Sequence, residues 1–248
     1  LWYFQTTSFI LGFSVLTVLS SLSWILVRDT PASMNLYPDG IVLTGSLTVS
    51  QKQTCIPLRT VLANQAVWRL GIAFGLGLMM AAGVVSQLKP RFSDLGFGDF
   101  TSMGLMCLTA LFAALGKYLW GFISDQIPVM RAVRLLFACC MGGLSLALLP
   151  QNIVTALLFA VVCGVFLGGM WTLLPASIAF LFGREQFLSV YRVVAFFVLL
   201  KSFGYVAMGL SFELTHQYDA AFIGFIVALG VGLLALTGIE KHSKIICK

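Results

Sequence analysis

The sequence predicts an all-α protein, a polytopic membrane helix bundle that crosses a lipid bilayer about seven times. Three observations carry this expectation. Of the 248 residues, 59% are apolar and 10% are charged, whereas a soluble domain carries about 25% charged residues. Mean hydropathy is +0.99. The apolar residues are also gathered into seven runs, most of them close to the roughly 20 helical residues that cross a bilayer. A chain so poor in charge cannot cover a water-facing surface, so lipid is expected to be its solvent. The remaining residues suffice for short loops and not for a separate soluble domain.

The runs cover residues 2–27, 67–88, 102–123, 132–149, 153–181, 188–210 and 220–238. Backbone polar groups in hydrocarbon must be satisfied within the segment, so each run is expected to be a helix. The first is too long for a signal-peptide core and has no charged n-region, which makes it a span. The chain begins at Leu1, inside this run, so a preceding stretch is expected. The connection 28–66 is the one long loop. Its middle is polar, and residues 57–64 place Leu58, Val61 and Leu62 at helical spacing, as in a short helix on the membrane surface. Glycine pairs four apart, Gly71 with Gly75 and Gly164 with Gly168, suit close helix contacts in lipid. Pro175 predicts a kink in the fifth run. Residues 67–238 then form a six-helix unit, followed by a tail at 239–248.

Charge sets the expected orientation. The ends following the odd-numbered runs and the tail hold Arg28, Lys52, Arg59, Arg69, Lys117, Arg131, Arg134, Arg184, Arg192, Lys241, Lys244 and Lys248, twelve cations against Lys89 and Arg91 at the opposite ends. The positive-inside rule puts the first set in the cytoplasm, the N-terminus outside and the C-terminus inside, in a plasma or inner membrane. The net charge of +6 is scattered over these loops and forms no basic stripe, which excludes a nucleic-acid partner. The six cysteines form no Cys-x-x-Cys pair, and four lie in apolar runs where they act as small hydrophobes. No nucleophile–base pair, metal cluster or phosphate loop is visible, so neither an enzyme nor a cofactor is expected.

Several segments resemble one family. Arg28-Asp29-Thr30-Pro31 with Leu36-Tyr37-Pro38-Asp39-Gly40 is similar to the segment after the sixth helix of major facilitator superfamily transporters. The likeness is to the oxalate/formate antiporter-like and monocarboxylate porter-like branches in particular. Gln87-Leu88-Lys89-Pro90-Arg91-Phe92-Ser93-Asp94-Leu95-Gly96-Phe97 resembles the external loop after their seventh helix. Gly116, Gly121, Ser124 and Asp125 resemble the second-half copy of the cytoplasmic gate motif, and Phe182-Gly183-Arg184-Glu185 resembles the loop before the eleventh helix. The sequence departs from the motif after Asp125, where Gln126, Pro128 and Arg131 replace the usual Arg-x-Gly-Arg.

The resemblance implies the C-terminal half of a major facilitator fold. Its helix six would be 1–27, its central cytoplasmic loop 28–66, and its C-terminal six-helix repeat 67–238. It further implies an N-terminal half as partner, a small solute as cargo and alternating access as mechanism. The rival readings are a seven-helix receptor, which shares this topology, and a non-transporting membrane remnant.

Two lysines point to the cargo. Lys201 lies about 9 residues, or about 14 Å, from the nearer end of its run, too deep for easy snorkelling. A lysine at mid-helix costs about 2.5–3.5 kcal/mol on insertion scales, and no Asp or Glu lies in any run. Its partner is a substrate anion, an acid on the other half, cavity water or backbone carbonyls; the bland alternative is a lysine that only packs. The resemblance implies a carboxylate-binding lysine on the same helix face about one turn away. Lys117 occupies a place where these branches often carry a cation, although its stem can also reach the interface. Trp171, Trp120 and Tyr118 are candidates for a cavity wall or for packing and interfacial anchoring. The expected cargo is therefore a small organic anion held by Lys117, Lys201 and Trp171. Gly116, Gly121, Asp125 and Arg131 are expected to serve the gate, with a solvated loop aspartate as the alternative for Asp125.

Overall fold

The protein is described by a computed structural model, which covers residues 10, 13–18, 20–23, 58–149 and 152–239. The chain divides into two units, Leu1–Lys52 and Gln53–Lys248. In the first, the described residues form an apolar helix, Phe13–Ser23. Its hydroxyls turn back on its own backbone: Ser14 Oγ donates to the Ile10 carbonyl (2.6 Å), Thr17 Oγ1 to Phe13 (2.9 Å) and Ser21 Oγ to Thr17 (2.6 Å). Bonds of this i−4 kind let a Ser/Thr-rich run satisfy its polar atoms internally. The rest of the expected span 2–27, the loop 28–57 and the tail 240–248 lie outside the described residues.

The described residues of the second unit form helices joined by short turns, with no strand among them. A short helix α1 (Leu58–Ala63) precedes α2 (Gln65–Ser86), and α3 (Leu88–Asp94) links α2 to α4 (Asp99–Gln126). Then follow α5 (Val129–Leu148), α6 (Ile153–Gly183), α7 (Glu185–Thr215) and α8 (Asp219–Leu236). Six of these, α2 and α4 to α8, are long and apolar enough to cross a membrane. They coincide with the six runs expected over 67–238, with ends shifted by a few residues.

Local chemistry sets the ends. Asn64 caps α2 by accepting from the Ala66 amide (2.8 Å), and Asn152 forms a capping box with Thr155 at the start of α6. The backbone stays helical through Pro175. The break falls at Gly183 (φ 76°, ψ 168°), a region open to glycine and costly for other residues, and there α6 gives way to α7. The segment 87–97, expected as a loop, contains the helix α3; Pro90 sits in its first turn, where no amide donor is required. Inside α7 a tighter 3-10 turn, Phe197–Leu200, immediately precedes Lys201.

α2 lies at the centre and packs on α6, α7 and α8, while α5 packs between α6 and α8 and α4 rests chiefly on α6. The core is built on aromatic edges: Phe74 meets Phe137 at 6.0 Å and Phe159 meets Phe222 at 6.1 Å, both near-perpendicular. The α4–α6 seam is main chain on main chain. A Cβ at Gly164 would strike the Thr109 carbonyl, one at Gly168 the Ala113 carbonyl, and one at Gly116 the Val165 carbonyl. The expected Gly164/Gly168 face is thus a true close approach; Gly71 receives the Phe197 ring, and Gly75 meets both the Leu200 side chain and the Phe197 carbonyl.

Burial is uneven. Of the apolar stretch of α2, 61% is buried, against 17% for α4 and 22% for α7. The two poorly covered helices are those that carry the two lysines.

Candidate functional site

A cavity of about 470 Å³ opens among α2, α4, α6 and α7. α4 supplies Met106, Thr109, Ala110, Ala113 and Lys117, and α2 supplies Leu78, Ala81, Ala82 and Val85. Each set repeats at three to four residues, so each is one helical stripe. α6 contributes Leu167, Gly168 and Trp171, and α7 contributes Lys201 and Tyr205, four residues apart on one face. Lys117, Lys201 and Trp171, the three residues expected to hold cargo, therefore line one cavity.

The glycine seam is what permits this. Gly168 lies against the amide of Lys117, so α6 approaches α4 closely enough for Trp171 and Lys117 to share a wall. Lys117 is exposed and Lys201 partly exposed. Among the described residues, no acid lines the cavity and neither lysine forms an ion pair. Apart from the lysines, its polar side chains are the hydroxyls of Ser86, Thr109 and Tyr205 and the Trp171 indole. Two of these hydroxyls are already engaged: Thr109 Oγ1 donates to the Leu105 carbonyl (2.9 Å) and Ser86 Oγ to Gly83 (2.7 Å). Pro175 has no amide proton, so the Trp171 carbonyl loses its usual helical donor. The arrangement is a positively charged apolar pocket, chemically suited to a bound anion.

The other two aromatics do not belong to it. Trp120 is 3% exposed, packed near Gly169 and Phe166, and its indole N–H has no acceptor among the described residues. Tyr118 is 82% exposed and lies outside the cavity lining. The expected gate residues are dispersed. Gly116 belongs to the helix seam, and Gly121 meets only Thr172 at 3.9 Å. Asp125 and Arg131 are both exposed at the α4–α5 turn and make no ion pair with one another.

The opposite end of the bundle holds a feature the sequence did not single out. Arg91, expected as a loop charge, is 5% exposed. Its guanidinium lies over the rings of Phe159 (5.1 Å) and Phe222 (4.6 Å), and Nη2 donates to the Ala147 carbonyl at 2.6 Å. Burial pulls its pKa down to about 10, with the Asp219 carboxylate opposing, so it remains a cation at neutral pH. One side chain thus ties α3 to the ends of α5, α6 and α8. Nearby, the Tyr218 hydroxyl donates to Asp94 Oδ2 (3.1 Å); burial first, and then this bond, push its pKa up to about 12.

Fold and site together define an integral membrane helix bundle with a cationic, largely apolar cavity between its helices. Comparison with protein-family models gives no match, and comparison with curated proteins gives none either.

Proposed function

We propose that the chain is the C-terminal half of a major facilitator-type secondary transporter, whose cavity binds an organic anion during alternating access. One observation carries the reading: Lys117 and Lys201 converge, with no acid among the described lining residues, on an apolar cavity between helices. Two ammonium groups held at membrane depth cost several kcal/mol in hydrocarbon, and an anion offsets that cost by charge-assisted hydrogen bonds. The ordered sequence motifs and the thin cover on α4 and α7 support the same reading, since a second half would close the cavity there. Leu78, Val85, Met106 and Trp171 in the wall favour a carboxylate with an apolar body over a compact dianion. No specific observation favours a receptor.

Counterflow of labelled monocarboxylates in vesicles carrying the complete gene product tests this. Wild-type protein is expected to exchange them. Lys201→Met and Lys117→Met are each expected to lower exchange at least tenfold, the worth of about 1.4 kcal/mol of lost anion contact. Lys201→Arg, which substitutes a rigid fork for a point charge, is expected to retain binding and slow turnover. Unchanged exchange in both methionine variants would refute the anion reading.

A further inference from the structure

One end of the six-helix unit gathers several arginines beside a short exposed helix. Arg69 Nη1 donates to the Thr237 carbonyl (3.3 Å), which places the start of α2 beside the end of α8. The same end therefore holds α1, the α4–α5 turn and the α6–α7 break. Its described ionisable side chains include Arg59, Arg69, Arg131, Arg134 and Arg192 against Asp125 and Glu185. A guanidinium grips phosphate through two parallel hydrogen bonds, which an ammonium cannot do.

α1 adds an apolar ledge to this field. Val61 is fully buried and anchors the helix, leaving Leu58 59% and Leu62 40% exposed. The Trp68 indole donates to the Leu62 carbonyl at 2.7 Å and remains 45% exposed, leaning edge-on against Phe197. An aromatic side chain with an apolar body and an occupied N–H suits the level where headgroups meet acyl chains. Arg59 lies one turn before Leu62, is exposed, and forms no ion pair among the described residues.

We propose that this end of the bundle seats an anionic phospholipid, its phosphate on Arg59 within the arginine field and its acyl chain along Leu58, Leu62 and Trp68. The proposal is independent of what the cavity carries. A lipid held here braces α1 against α2.

The test is tryptophan fluorescence of the full chain in phosphatidylcholine vesicles containing either brominated phosphatidylglycerol or brominated phosphatidylcholine at equal mole fraction. Subtracting the Trp68→Phe variant isolates the Trp68 contribution. The anionic quencher is expected to act at lower mole fraction, and Arg59→Gln to weaken that preference about fivefold, the effect of one basic residue at an anionic surface. Lys89→Gln, at the opposite end, is expected to leave it unchanged. Equal quenching by the two lipids, or equal effects of the Arg59 and Lys89 variants, would overturn the proposal. Arg59 is exposed, so its variant leaves the core intact, and the helical circular dichroism of each variant checks this.

Discussion

The α4–α6 seam makes a quantitative demand on Gly168. A Cβ there would fall against the Ala113 carbonyl, 2.8 Å from the Lys117 amide nitrogen and 3.0 Å from the Gly116 carbonyl carbon. All three are main-chain atoms, so no side-chain rotation relieves the clash. An ordinary C···O approach is about 3.3 Å or more, and the helices must part by roughly 1 Å to restore it. Overpacking of this kind costs about 1–3 kcal/mol, and the rigid neighbours put Gly168→Ala toward the upper end. Gly209, in α7, has no heavy atom within 4 Å of its would-be Cβ and supplies the control. Both substitutions share the gain of about 1 kcal/mol in helix propensity, so their difference isolates the seam. In a denaturant titration of the detergent-solubilised protein, Gly168→Ala is expected to be about 2–3 kcal/mol less stable than Gly209→Ala. Coincident unfolding curves for the two variants would refute main-chain contact between α4 and α6.

Three further outcomes follow from the opposite end and from the interior. Arg91→Met removes the bond to Ala147 and both ring contacts, and is expected to lower stability by about 2–4 kcal/mol, read as a fall in thermal midpoint; Arg91→Lys should recover part of it. Tyr218 has a raised folded-state pKa, so its contribution is fully present below its unfolded value near 10 and is lost as pH rises toward about 12. The lowered pKa of Arg91 acts with the opposite sign at alkaline pH, so the test is the difference between wild type and Tyr218→Phe, which should narrow between pH 10 and pH 12. Trp120→Phe deletes a buried N–H that has no acceptor among the described residues, and should cost under about 1.5 kcal/mol in the same titration, because a satisfied donor is not being lost.

The sequence located the spans well because hydrocarbon imposes a single rule, apolar residues in helix-length runs. Their ends were less legible. Asp99, Gln126 and Glu185 are polar residues that extend helices into the interface, so an apolar run necessarily stops short of them. The helix α3 was hidden for another reason. Its residues, Leu88 to Asp94, include a proline and three charges, and composition alone marks such a stretch as loop. What anchors this helix is Arg91 meeting Phe159, Phe222 and Ala147, all contributed by distant parts of the chain. Nothing local in the segment 87–97 encodes that contact.

The cavity was legible in its parts and not in its closure. Positions 106, 110, 113 and 117 follow helical spacing, as do 201 and 205, so one face of α4 and one of α7 could be drawn from the sequence. That the two faces border one space depends on Gly164 and Gly168 drawing α6 against α4, and on α7 lying along α2. The cavity's two lysines and Arg59 differ in chemistry as well as in place. A cavity that must release what it binds is better served by lysine, whose point charge holds a carboxylate without fixing its angle. A surface that keeps one phosphate in place is better served by arginine, whose fork fixes both oxygens. The cavity has Lys117 and Lys201, and the end beside α1 has arginines among its described cations. On the proposed reading, exchanging the two cation types should make the cavity hold too long and the lipid seat hold too loosely, which is why Lys201→Arg and Lys201→Met are expected to impair exchange by different routes.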